Sequence, residues 1–345
     1  MRRLWHKVIS LLRRLIRRDS PEPVPAPAQR GYRSVTGGSA ATLAAMLAAE
    51  AAEAMEQPGR VLVVTSTERE AAAIMTSTGA FNASRHLVVS PRGLCCSLIA
   101  ADRLSLDEDI AGEALNALDA SGVGNIYGTV IVSEAQNLSP ALIEIIDRLT
   151  DRAHHSTTYF FAPRRAIFAF AGASVPTLAL LRARTGRRTV TVSRREPAAV
   201  TLKPLTAPDT ESAVTLAVDV ATERNAKGSS VMILTRTNAE GRLASELLAR
   251  RGVAHRLLTA RIVADSNQAT DVEPWRRYAM READLAPDEP LMVSTVHTAR
   301  DRSPAHAVVL DTARRRPVDN PADENNRLST ACSLATSTAT IIKQK

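Results

Sequence analysis

The chain is expected to fold as two α/β domains, each built on a parallel sheet covered by helices. Three observations lead there. The 345 residues are enough for two domains of ordinary size. Apolar residues make up 45% of the chain and aromatics only 3%, so a sizeable core can form, and it must be aliphatic and alanine-rich. Short apolar, β-rich runs alternate with helical stretches, and they do so in two series. Strands that alternate with helices imply a parallel sheet buried on both faces.

In the first series the apolar runs lie at 61–65, 86–90, 128–132 and 158–161, with helical stretches at 40–55 and 140–152. The second series has runs at 188–192, 230–235, 291–296, 307–311 and 339–342, and helices at 210–225 and 239–251. The expected domains are therefore 31–180 and 181–345, and no internal repeat is visible beyond this doubling. Ahead of them, residues 1–18 read as a basic amphipathic helix, with Leu4, Trp5, Val8, Ile9, Leu11, Leu12, Leu15 and Ile16 at helical spacing. Residues 19–30 carry four prolines and read as an extended linker.

Charge and cysteine usage narrow the function classes. Residues 1–30 hold eight basic and two acidic residues, so most of the net +8 sits there and the body is nearly neutral. Bulk charge therefore does not argue for a nucleic-acid partner. The basic helix suits docking on the protein's own body or a partner, or an anionic membrane surface; phosphates come third. No run of about 18 uncharged apolar residues occurs, so no transmembrane helix is expected. Cys95, Cys96 and Cys332 form no CxxC pattern. That points to a reducing, cytoplasmic setting without a structural metal, with peripheral membrane contact through residues 1–18 as an addition.

Several short segments carry chemistry. Residues 35–42 (VTGGSAAT) precede a helix and place Gly37, Gly38, Ser39 and Thr42 where backbone N–H groups could meet an anion. Taken alone, they read better as a Gly-Gly turn capping an alanine-rich helix. Residues 64–67 (VTST) and 90–94 (SPRGL) follow strands, and so does the run VIVSEAQNLS from Val130, in which Ser133, Glu134 and Gln136 stand at the end of a hydrophobic strand where ligands sit in open sheets. Further on come FAPRRAIFAFAGA from Phe161, Arg195, VMILTRTN from Val231, STVHTAR from Ser294 and NRLSTACSLAT from Asn326.

Taken in order, these segments resemble the motifs of superfamily 1 helicases of the UvrD/Rep type, from about residue 33 to 343. The resemblance implies two RecA-like domains of the P-loop NTPase fold. It implies ATP and Mg²⁺ as cofactors, with Gly37, Gly38, Ser39, Thr42, Ser133, Arg195 and Arg236 as nucleotide contacts. Glu134 and Gln136 would be the remnant of the catalytic machinery, and Thr65, Arg92, Thr295 and His297 would touch single-stranded nucleic acid.

The departures follow a pattern. The phosphate-loop lysine is Ala41, the Mg²⁺ aspartate is Ser133, the glutamine after the next strand is Arg165, and two arginines are Ala171 and Ala335. Two base-stacking aromatics are replaced by Ser66 and Pro91. The intervals from Gly93 to Ser133 and from Asn238 to Ser294 leave no room for accessory domains. Phosphoryl transfer is mostly positioning and electrostatics, and single charged contacts contribute on the order of 10³-fold in rate, so five losses leave little. The expectation is a pseudo-helicase that holds nucleic acid, nucleotide or a protein partner with little or no ATP hydrolysis. The alternatives are an active ATP-dependent DNA helicase or translocase, and a membrane-surface scaffold acting through residues 1–18.

Overall fold

The computed structural model describes residues 31–37, 40–99, 108–167, 175–186, 188–192, 200–258, 288–312 and 321–345. The basic helix and linker expected at 1–30 lie outside these residues. Gly38, Ser39 and Arg195 do too.

The first sheet is assembled from β1 (Gly31–Gly37), β2 (Val61–Val64), β3 (His86–Val89), β4 (Thr129–Val132), β5 (Ser156–Phe161) and β6 (Thr189–Val192), in the order β3-β2-β4-β5-β1-β6. Every pairing is parallel. The strands of the centre are continuous aliphatic runs because both faces are covered. Along β2, Val61 and Val63 face α1 (Ala40–Glu56) and α2 (Glu68–Ser77), while Leu62 and Val64 face α3 (Pro91–Ile99), α4 (Glu108–Ser121), α5 (Pro140–Leu149) and α6 (Val175–Thr185). Helix α5 shows how local sequence sets an element. Ser139 caps it by accepting from the Leu142 N–H, Pro140 occupies the first turn, and Leu142, Ile143, Ile145, Ile146 and Leu149 make one buried stripe.

The second sheet comprises β7 (Thr201–Ala207), β8 (Val231–Thr235), β9 (Arg256–Leu257), β10 (Leu291–Thr295), β11 (His306–Asp311) and β12 (Thr338–Gln344), in the order β7-β12-β11-β8-β10-β9. It too is parallel throughout. Helices α7 (Thr210–Ala226) and α8 (Asn238–Arg250) cover one face, and α9 (Pro321–Leu334) the other.

Two sequence expectations change. The run at 188–192, expected to open the second series, pairs with β1 and is the edge of the first sheet, with Gly37 opposite Val192. The change of sheet therefore falls between Val192 and Thr201 instead of near residue 180. A Thr-Val alternation fits an edge strand of either sheet, and only the register with β1 decides. Three strands had no apolar signal. β1 holds only Tyr32 and Val35, β9 has two residues, and β7 is an exposed edge that tolerates Pro204 because no second strand needs its missing N–H.

Candidate site in the cleft between the two sheets

The C-terminal ends of β2, β4 and β5 meet the loop after β10 across a cleft. In the first sheet β2 connects onward to β3 and β4 to β5, in opposite directions. The crevice between their ends is thus a switch point, where open α/β sheets hold ligands. A cavity of about 250 Å³ lies there, lined by Leu43 and Ala44 of α1, by Ser66, Glu70, Ser133, Glu134, Gln136 and Arg165, and by Arg300 and Asp301 from the second domain.

Ser133 begins the site. Its N–H donates to the Val64 carbonyl at 2.7 Å, and its hydroxyl donates to Glu70 Oε1 at 3.1 Å. The other oxygen of Glu70 accepts from the Ser66 N–H and hydroxyl at 2.6 and 2.7 Å. Burial pushes the Glu70 carboxyl up and the two Ser66 hydrogen bonds pull it down; the neighbouring Glu134 charge raises it and the Ser133 bond lowers it. Glu70 reaches this place because Thr67 caps α2 by accepting from the Glu70 N–H, in the Thr-x-x-Glu spacing of a capping motif.

The same device recurs in the second domain. Thr235-x-Thr237-x-x-Glu240 matches Thr65-x-Thr67-x-x-Glu70, and in each case the first threonine hydroxyl donates to the second threonine's carbonyl. Glu240 accepts from the N–H groups of Arg236 and Thr237 and from the Thr312 hydroxyl beyond β11, as Glu70 accepts from Ser133 beyond β4. A hydroxyl at the end of the neighbouring strand is thus tied to the cap of the following helix in both domains. The Ser133 hydroxyl is part of that tie.

Glu134 follows in left-handed backbone, φ 44° and ψ 44°. Its Oε1 is 2.9 Å from Arg165 Nη2 and its Oε2 is 3.7 Å from Arg300 Nε, so two guanidinium groups flank one carboxylate. Asn137 donates to Oε2 at 3.3 Å. Gln136 is buried; its Oε1 accepts from the Ala162 N–H at 2.9 Å, and its Nε2 has no hydrogen-bond partner among the described residues. Arg300 also donates to the carbonyls of His297, at 2.7 Å, and Ser66.

The other expected contacts fall as follows. Thr295 is half-buried and donates to the Thr298 hydroxyl at 3.0 Å; His297 donates from Nε2 to the Ile167 carbonyl at 3.0 Å. Arg236 is half-buried at the cap of α8, and Thr42 is exposed on the first turn of α1. Thr65 and Arg92 do not reach the cleft surface. Thr65 is fully buried, and the Arg92 guanidinium, 4% exposed, pairs at 3.3 Å with the equally buried Glu68, which also accepts from Ser90. Gly37 has a backbone reason of its own. Its φ is +87°, and a Cβ there would come within 2.5 Å of the Val192 carbonyl, so the approach of β6 requires glycine.

Tested against Mg²⁺ and a triphosphate, this donor set does not fit. Where the resemblance would put a metal-holding acid, the Ser133 hydroxyl is already given to Glu70; where it would put a phosphate lysine stands Ala41; and no cluster of three or more His, Cys, Asp or Glu residues among the described residues is placed to hold a metal. The three arginines lining the cavity (69, 165 and 300) each have a carboxylate within 4 Å, which removes much of their pull on a polyphosphate.

No family model matches the chain, and no curated protein does. Among solved structures, Saccharomyces cerevisiae Dbp5 bound to RNA and ADP BeF3 aligns over 99% of this chain and 87% of its own, with a TM-score of 0.56 at 9% identity. The chain shares the fold of that structure. Its two parallel sheets are two RecA-like domains, α/β in class as the alternation of strands and helices predicts. The C-terminal domain of a possible DNA helicase from Lactobacillus plantarum also aligns, over 42% of this chain and 74% of its own, at 16% identity and a TM-score of 0.29. Among the described residues no helix is long and apolar enough to cross a membrane.

Sequence reasoning missed Glu70 and did not assign Arg165, Arg300 or Asp301 to the site. Glu70 was legible as the last member of a capping spacing. Arg165 was visible only as a departure from a motif and Arg300 as the last residue of another, and their pairing with Glu134 became apparent only in the folded chain.

His297 carries a prediction. Burial lowers its imidazole to about 4, against the Ile167 hydrogen bond and with help from Arg300, Arg327 and Arg236. The folded ring is therefore neutral at pH 7. The unfolded ring titrates near 6.5. Between those values the unfolded chain takes up a proton that the folded one excludes, so stability is full above about pH 6.5 and falls as the pH drops towards 4, by up to about 1.4 kcal/mol per pH unit. His297→Gln, which keeps a donor for Ile167, should flatten the fall in urea midpoint between pH 7 and 5. His86, also held near 4 by burial, keeps part of the slope in both proteins. An unchanged slope would rule out this assignment.

Proposed function

We propose that the chain is a degenerate helicase core of the UvrD/Rep kind that binds a partner without hydrolysing ATP. One observation carries this reading. The two positions that the resemblance assigns to Mg²⁺ and to water activation are both engaged by the protein itself, Ser133 by Glu70 and Glu134 by Arg165 and Arg300.

Single-stranded nucleic acid is the partner this reading takes first, since the fold likeness is to a protein solved with RNA. Of the four residues expected to touch it, Thr295 and His297 are half-buried after β10, while Thr65 and Arg92 are inside the first domain. Binding would then use fewer contacts than the family pattern implies.

The test is Mg²⁺-dependent ATP hydrolysis by the full chain, with and without single-stranded DNA, alongside fluorescence anisotropy with labelled DNA and RNA oligonucleotides. The expected result is no turnover above a protein-free blank in either condition, with measurable oligonucleotide binding. Turnover stimulated by DNA would restore an ATP-driven motor, with Glu134 released from its arginines during the cycle. Loss of that turnover in Glu134→Gln would then identify the residue responsible.

A further inference from the structure

The two domains grip each other through side chains of this chain alone. The segment after β5 leaves the first domain and enters the second. Ile167 is 4% exposed and packs with Met232, Leu234 and Val309, inside the core under α9. The carbonyls of this segment are taken up on arrival, Ala166 by Asn326 Nδ2 at 3.1 Å and Ile167 by His297 at 3.0 Å. The second domain reaches back. Arg300 donates to the Ser66 carbonyl, Asp301 accepts from the Thr67 hydroxyl at 2.8 Å, and Asp288 pairs with Arg69 at 2.6 Å.

Glu134 lies at the centre of this contact. Glu134 stands on the first domain; Arg165, its first neighbour, lies on the crossing segment that packs on α9 and donates to the Arg300 carbonyl at 3.4 Å, and Arg300 itself belongs to the second domain. An anion on one body that faces cations held on the other draws the two together, and with all three side chains no more than 15% exposed the attraction exceeds that of an exposed pair.

We propose that Glu134 is a built-in anion that closes the two domains on each other in the absence of any ligand, so that the core is a fixed clamp and not one gated by nucleotide. A ligand shifts a conformational equilibrium only by its differential affinity for the two states. In a core that is already closed, a nucleotide has no closure left to drive. This goes beyond the absence of hydrolysis: a non-hydrolysing core could still open and close on binding nucleotide.

Single-molecule energy transfer tests it, with dyes on exposed Thr76 of α2 and Arg250 of α8, near the ends of those helices farthest from the cleft. The full chain should give one high-efficiency population, unchanged by saturating Mg²⁺, ADP and beryllium fluoride. Glu134→Gln and Arg300→Ala should each move it to lower efficiency or add a second, open population. Arg300→Lys, which keeps the charge but not the guanidinium hydrogen bonds, serves as the milder variant if Arg300→Ala does not fold; circular dichroism decides that. An open population that closes only with nucleotide would overturn the proposal, and so would a closed population that persists unchanged in all the folded variants. ATP hydrolysis measured on the same samples separates this outcome from that of the proposed function. A chain without turnover that nevertheless opens and closes sinks the clamp alone, and a chain with turnover and a fixed distance sinks only the pseudo-helicase.

Discussion

Ser133→Asp, which puts back the acid that the helicase resemblance calls for, should destabilise the first domain and yield no Mg²⁺-dependent hydrolysis. Ser133 is 6% exposed, and its hydroxyl is a donor to Glu70 at 3.1 Å. An aspartate there removes a donor and sets a second carboxylate against the first. Two carboxylates sharing one largely buried site cannot both stay ionised, so one must take up a proton or the cap of α2 must yield. The expected cost is about 2–4 kcal/mol, from an unsatisfied buried acceptor plus like-charge repulsion. For a domain of this size that corresponds to a fall of roughly 10 °C in midpoint. Glu70→Gln in the same background should recover most of it, because the amide can donate to the new aspartate. A thermal melt of the four proteins of this cycle measures the coupling directly. If Ser133→Asp is as stable as the parent, Glu70 is not tied to this position as described.

Arg92→Met should show where that arginine acts. The resemblance places it among nucleic-acid contacts, but the structure places its guanidinium inside the first domain against Glu68. Removing one member of a buried ion pair leaves the other charge uncompensated and typically costs about 3–5 kcal/mol. The urea midpoint of the first domain should therefore drop, and the residual folded protein should bind an oligonucleotide as the parent does. Adding Glu68→Gln should restore part of the loss, since Ser90 can still hydrogen-bond the amide. A surface arginine that met phosphate would behave in the opposite way, with stability unchanged and affinity reduced uniformly across sequences.

The α/β class and most elements were legible because their signals are local. The central strands β2, β4 and β8 are unbroken aliphatic runs, as strands covered on both faces must be, and the helices beside them carry their own caps at Thr67, Ser139 and Thr237. Strands without such a signal were missed, among them β1, whose burial comes from its neighbours β5 and β6. The departures from the resembled motifs, at Ala41, Ser133, Ala171 and Ala335, were likewise visible in the residues themselves. What replaced them was not. Pairing of Glu134 with Arg165 and Arg300 needs two segments about 30 and 170 residues away along the chain, brought together by two different sheets. The side of the protein on which Arg92 lies is set by the packing of α3, and no motif records it. Sequence alone determined which of the groups that the resemblance calls for are missing from this chain, since composition at a position is a local fact. Only the tertiary structure decided that the remaining charges are spent on one another, because a charge acts on whatever folding places within a few ångströms of it, whatever its distance along the chain.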